Sequence, residues 1–135
     1  MENEIVELVN QGILKWDSGF FFLTEAEDII KSYKCEITVQ SNENELIKMK
    51  ETINVFGYDC DDVQLEVEEN KIIYVHVRFL QKKEFDQFVL ALFNTRKAEI
   101  AFFEDKVGPI AIFRYHKIRI QIGPEKYCVN YFFEI

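Results

Sequence analysis

Glycine is scarce in this chain and never clusters: Gly12, Gly19, Gly57, Gly108 and Gly123 each stand alone. A phosphate-cradling loop needs several glycines close together so that backbone N–H groups can approach the anion, so Walker and dinucleotide-binding loops are absent. The three cysteines, Cys35, Cys60 and Cys128, are scattered and form no Cys-x-x-Cys pair, which leaves neither a zinc knuckle nor a disulfide framework. Ser18, Ser32 and Ser41 lie in no nucleophile-elbow context. No apolar run approaches the ~18 residues that cross a bilayer. The start, Met1-Glu2-Asn3-Glu4, lacks the basic end and apolar centre of a secretory signal. With no disulfide framework either, the expected location is the cytoplasm.

What the chain does hold is ample material for one core. Its 135 residues are 48% hydrophobic and include 13 Phe and 6 Tyr, which suits a single domain over residues 1–135 and excludes a disordered chain. The formal charge is −8 and is unevenly spread. Residues 1–69 carry 17 acidic and 5 basic side chains, whereas residues 70–135 carry 7 acidic and 11 basic. A net negative charge opposes unspecific attraction to phosphate backbones or anionic lipid. Neither direct nucleic-acid binding nor membrane binding is therefore expected.

Along the chain, Ile5, Leu8, Val9 and Ile13 recur at helical spacing and predict a first helix over 3–14. Thr24 and Glu27 form a capping-box pattern ahead of a second helix with Ala26, Ile29, Ile30 and Tyr33 on one face. Phe20 to Leu23 reads as a short buried strand or a hydrophobic staple. Cys35, Ile37 and Val39 alternate as a strand does. Leu46, Met49, Ile53 and Phe56 predict a third helix that Gly57 ends. Val63, Leu65 and Val67, then Ile73, Val75, Val77 and Phe79, make the best hairpin, turning after Glu69-Asn70. Phe85, Phe88, Val89, Leu92 and Phe93 predict a fourth helix over 83–95, with Arg96 and Lys97 at its C-terminal dipole. Strands follow near 98–104, 110–116, 117–122 and 127–134, two of the turns being marked by Gly108-Pro109 and Gly123-Pro124. The order favours an α+β domain, a mainly antiparallel sheet with about four helices packed on one face.

Chemistry-bearing residues are few. Asp59-Cys60-Asp61-Asp62 is the densest carboxylate group, but the calcium-loop pattern breaks at Val63-Gln64, and in a plain extended segment Asp62 points away from Asp59 and Asp61. No metal or cofactor is expected. Cys60 among three aspartates is a poorly activated thiol. His76, between Tyr74 and Arg78, and His116, among Arg114, Tyr115, Lys117 and Arg119, supply the enzymatic alternative. Two imidazoles with a cation could cleave RNA without metal, or the same cations and aromatics could bind it.

Against this stands the segment from Asp59 to Glu69, with six carboxylates (Asp59, Asp61, Asp62, Glu66, Glu68 and Glu69) and no Lys or Arg. Glu66 and Glu68 share the strand face opposite Val63, Leu65 and Val67, where like charges repel until a cationic partner relieves them. Tyr58, with Trp16 and Phe20 elsewhere, could serve as the aromatic anchor. A small, acidic, motif-free chain of this kind resembles the immunity proteins of bacterial toxin systems. The resemblance implies no enzymatic activity and tight binding to one cognate toxin or other basic protein, such as a nuclease. It makes Tyr58, Asp59, Asp61, Asp62, Glu66, Glu68 and Glu69 the expected partner-binding set. A regulatory or phage-encoded inhibitor with a nucleic-acid-mimicking acidic face is the remaining reading.

Overall fold

The computed structural model describes residues 2–17, 19–94 and 99–134. In chain order the elements are α1 (Glu2–Asn10), β1 (Ile13–Trp16), β2 (Gly19–Phe22), α2 (Ala26–Ile30), β3 (Cys35–Val39), β4 (Glu45–Met49) and β5 (Ile53–Val55). There follow β6 (Tyr58–Glu68), β7 (Lys71–Phe79), α3 (Lys82–Phe93), β8 (Glu99–Glu104), β9 (Pro109–Arg114), β10 (Ile118–Ile122) and β11 (Cys128–Phe133). Ser18, Arg96 and Lys97 lie outside the described residues, as does the end of the expected fourth helix.

The chain is mostly sheet, which corrects the α+β expectation of about four helices. Eleven strands join in the order β2-β1-β5-β6-β7-β11-β10-β9-β8, while β3 and β4 branch from β6. Every pairing is antiparallel. Three helices occur among the described residues, and α2 has only five residues. The expected third helix is β4 and β5. Leu46, Met49, Ile53 and Phe56 do fall at helical spacing, but Ile47 and Met49 also alternate with Lys48, and the long edge of β6 supplies partners for strands. Tertiary pairing overrides the local period.

The sheet curls so that strands far apart in its order meet: Phe56, just beyond β5, lies 5.3 Å from Tyr131 of β11, ring to ring. The enclosed face carries Leu65, Val75, Val77, Val129, Tyr131, Ile120 and Phe113. Ile5 and Val9 of α1 and Phe88 and Leu92 of α3 add to this core. Each such fully buried side chain contributes roughly 1.5–3 kcal/mol relative to exposure. None of the three helices is long and apolar enough to cross a membrane.

Turn chemistry fixes the registers. Glu69 and Asn70 both hold positive φ, 49° and 65°, as the two-residue turn of the β6–β7 hairpin demands. Gly123 has φ +82°, and a Cβ there would sit 2.4 Å from the Pro109 carbonyl oxygen. The two Gly-Pro turns therefore touch, and only glycine allows the contact. The N-terminus of α2 is closed from a distance: Glu27 N–H donates to Asn70 Oδ1, and Ala26 N–H to the Asn70 carbonyl. The Thr24–Glu27 box is not formed; Glu25 is the N-cap and makes no side-chain cap bond.

Candidate protein-binding surface

The outward face of the central strands is built by alternation. On β6, Val63, Leu65 and Val67 point into the core and Gln64, Glu66 and Glu68 point out, as the sequence predicts. On β7, Tyr74, His76 and Arg78 point out. The register sets Gln64 beside His76 and His76 beside Asn130, and it sets Asp61 beside Arg78. Ile73 departs from the sequence reading: a register shift between Glu66 and Val67 puts Ile72, not Ile73, into the core.

A second irregularity falls between Asp61 and Gln64, where Asp62 takes φ +50°. An extra residue in one strand re-aims the neighbouring side chains. Asp62 thereby joins Asp61 on the outward face and does not point away, and its Oδ2 lies 3.2 Å from His76 Nε2. The other ring nitrogen, Nδ1, lies 2.7 Å from Asn130 Oδ1, which also accepts the Tyr74 hydroxyl. Burial pushes the Tyr74 phenol up to about 12. Beside this network Gly123, Pro124, Glu125 and Cys128 help enclose a recess of about 210 Å³.

The acidic residues of the expected partner site divide sharply. Tyr58 is not at the surface: it is 5% exposed and packs on Phe79 and Phe88, at 5.0 and 5.4 Å between ring centres. Trp16 is fully buried, whereas Phe20 is 63% exposed. Asp59 accepts from the Asn54 amide. Asp61 holds Arg78 through two hydrogen bonds of 2.8 and 2.9 Å. The guanidinium keeps the Asp61 carboxyl below its ordinary range, and the carboxylate raises the affinity of Arg78 for its proton. Glu66 accepts a 3.4 Å bond from the Asn44 amide. Among the described residues no ion pair involves Glu66, Glu68 or Glu69. Asp61 is thus neutralised by the chain itself, while Glu68 and Glu69 are exposed and Glu66 is half-exposed beside Asn44.

The structure does not bring the two histidines together. His76 is mid-strand on β7, its side chain 13% exposed. His116 is exposed in the tight turn closed by the bond from Tyr115 N–H to the Ile118 carbonyl, at the far end of β10. Asn130, the neighbour of His76, pairs with Gln121, five residues further on than His116. At about 3.3 Å per strand residue that separation exceeds any shared proton transfer. The thiols of Cys60 and Cys128 are equally unsuited to nucleophilic chemistry. Burial, then the Asp59 carboxylate, pushes Cys60 up to about 12, and burial with Glu125 pushes Cys128 up to about 11. Among the described residues no three His, Cys, Asp or Glu side chains are grouped as metal ligands.

One feature escaped sequence reasoning. All six residues of β8 are exposed, and Phe102 and Phe103 are 65% and 54% accessible. Ile100, Leu90, Phe93 and Val107 are also exposed, and Phe93 stacks on Phe102 at 5.8 Å. The run Ile100-Ala101-Phe102-Phe103 was readable as a strand, but its place at the end of the sheet was not. No protein-family profile, curated protein or solved structure matches the chain.

Proposed function

We propose that this chain is a binding protein that captures and neutralises a positively charged protein partner. Immunity proteins act in this way on their cognate bacterial toxins, and a nuclease is a fitting target. The observation that carries the reading is the exposed apolar strand β8, with the exposed Phe93 of α3 stacked on its Phe102. A large apolar patch on a highly charged chain is the mark of a protein interface. The charge selects the partner. A chain of net −8 attracts cations over a distance, and Glu66, Glu68 and Glu69 offer carboxylates that take part in no ion pair among the described residues. Charge of this kind raises the rate of encounter, whereas apolar contact holds the complex once formed.

The division of labour differs from a purely acidic site. Asp61 and Asp62 are engaged by Arg78 and His76 and serve the sheet, so the steering role falls to Glu66, Glu68 and Glu69. Affinity capture at low and high salt, with wild type and a Glu66→Lys/Glu68→Lys variant, tests the proposal. The captured protein is then assayed for its own activity, such as nucleic-acid cleavage, with and without added chain. We expect capture that weakens with salt and with charge reversal, and loss of the partner's activity in the complex. A captured protein that stays fully active overturns the neutralising role.

A further inference from the structure

β8 hydrogen-bonds β9 along one side, and no strand covers its other side among the described residues. Its register with β9 is unbroken from Glu99 opposite Arg114 to Glu104 opposite Pro109. In an antiparallel ladder alternate residues turn their N–H and C=O groups outward, so half of the β8 backbone is left as a template for another strand. Sheet edges are commonly guarded by Lys, Pro, a bulge or an inward charge. The central run Ile100-Ala101-Phe102-Phe103 has none of these.

Both faces of this edge open on recesses beside which side chains of an added strand would lie. Toward α3, a cavity of about 440 Å³ is lined by Phe93, Phe102, Glu104, Pro109 and Ala111 among others. A second, of about 230 Å³, is lined by Glu99, Ala101, Phe103, Ile112 and Arg114 among others. Side chains of a strand alternate between faces, so an added segment would set side chains beside each recess while its backbone pairs with β8.

Charge identifies the occupant. Glu99 closes one end of the apolar run, and Glu104 with Asp105 closes the other; no ion pair among the described residues involves any of the three. A second copy of this chain fits poorly. Antiparallel self-pairing centred on Ala101 sets Glu99 against Phe103 of the other copy. Centring on Phe102 sets Glu104 against Ile100 and Glu99 against Asp105, one carboxylate facing another. We propose that β8 is a strand-addition site for an extended segment of the protein partner, about four apolar residues with Lys or Arg on both flanks. This deepens the function proposed above and rests on it.

The test uses the full chain and three fluorescent peptides. Each carries four Val, Ile or Phe residues; the flanks are Lys in the first and Glu in the second, and the third has Lys flanks with a central Pro. We expect the Lys-flanked peptide to bind about tenfold or more tighter than the Glu-flanked one, since opposed charges across a strand pair attract and like charges repel. We expect no binding of the Pro peptide, which cannot complete the ladder. Binding should slow amide hydrogen exchange within residues 99–104. A Glu99→Lys/Glu104→Lys variant, altered only at exposed positions, should invert the preference. Equal binding of both flanked peptides, or binding without protection of β8, overturns the proposal. So does a dimer in sedimentation velocity that Phe102→Lys dissolves, because the edge would then belong to a second copy. If Phe102→Lys captures and neutralises a cationic protein as wild type does, this proposal falls and the neutralising function stands. If the Lys-flanked peptide binds β8 but every captured protein stays active, the function falls and the edge site stands.

Discussion

His76 Nδ1 lies 2.7 Å from Asn130 Oδ1, joining β7 to β11 through a side-chain oxygen that also receives the Tyr74 hydroxyl. Asn130 is the one buried polar residue among those described, at 7% exposure. Replacing it with Ala removes the acceptor of two part-buried donors at once. Leaving buried donors unsatisfied costs about 1–3 kcal/mol. Asn130→Ala should therefore lower the urea midpoint by a corresponding amount. His76→Ala should cost less, because Asn130 then keeps Tyr74. Equal stability of Asn130→Ala and wild type would mean that water serves these groups as well.

Asn70 has two separable duties. It holds φ +65° in the β6–β7 turn, and its side chain and carbonyl receive the first N–H groups of α2. Asn70→Gly keeps the backbone freedom and loses the side-chain cap together with the bond that Nδ2 donates to the Thr24 carbonyl, at about 0.5–1.5 kcal/mol for each hydrogen bond. Asn70→Ala loses the cap and adds the left-handed penalty of roughly 1–2 kcal/mol. Thermal midpoints should fall in the order wild type, Gly variant, Ala variant. A Gly variant less stable than the Ala variant would contradict this assignment.

These two asparagines also mark how far the sequence could be read. Local alternation sufficed for β6, for most of β7 and for β10, where Ile118 and Ile120 are buried beside half-exposed Arg119 and Gln121. The Glu69-Asn70 turn was legible because few residues other than Gly, Asn and Asp accept positive φ. The partners of Asn70 and Asn130 were not, since they come from 43 and 54 residues away. The bulge at Asp62 was hidden for the same reason: its alternation with Asp61 is that of any strand, and only pairing with β7 displaces it. Leu46 to Phe56 fit two periods, and the open edge of β6 decided between them. In the candidate site, the acidity of Glu66 and Glu68 and their outward direction could be read. Whether Arg78 would claim Asp61 depended on the register, and the exposure of β8 depended on strand order.

The Asp61–Arg78 pair predicts a pH signature. The native Asp61 carboxyl sits below its ordinary value of 3.8 because Arg78 stabilises the charged form. Such a group adds stability above its unfolded pKa and loses that contribution as pH falls through the native pKa. Asp61→Asn should thus be less stable than wild type near neutrality, by a small margin since both partners are partly solvated. The gap should close on acidification through and below the ordinary carboxylate range. Thermal midpoints of both proteins across that range would check it. A gap that persists in acid would assign the loss to packing.

The three cysteines should be separable by a disulfide-exchange reagent at about pH 8. The attacking species is the thiolate, so reactivity follows both exposure and pKa. Cys60 is 0% exposed and pushed up to about 12, which leaves roughly one thiolate in ten thousand at that pH. Cys128 is 2% exposed and pushed up to about 11. Cys35 alone is half-exposed, at the start of a strand that pairs on one side only. Native protein should release close to one equivalent of chromophore quickly, and denatured protein three. Cys35→Ser should abolish the fast phase at a cost of about 1 kcal/mol, because Cys35 packs in part against the core. A fast phase that survives Cys35→Ser would show that the sheet around Cys60 or Cys128 opens locally, and would place the weakest part of the fold at β6 or β11.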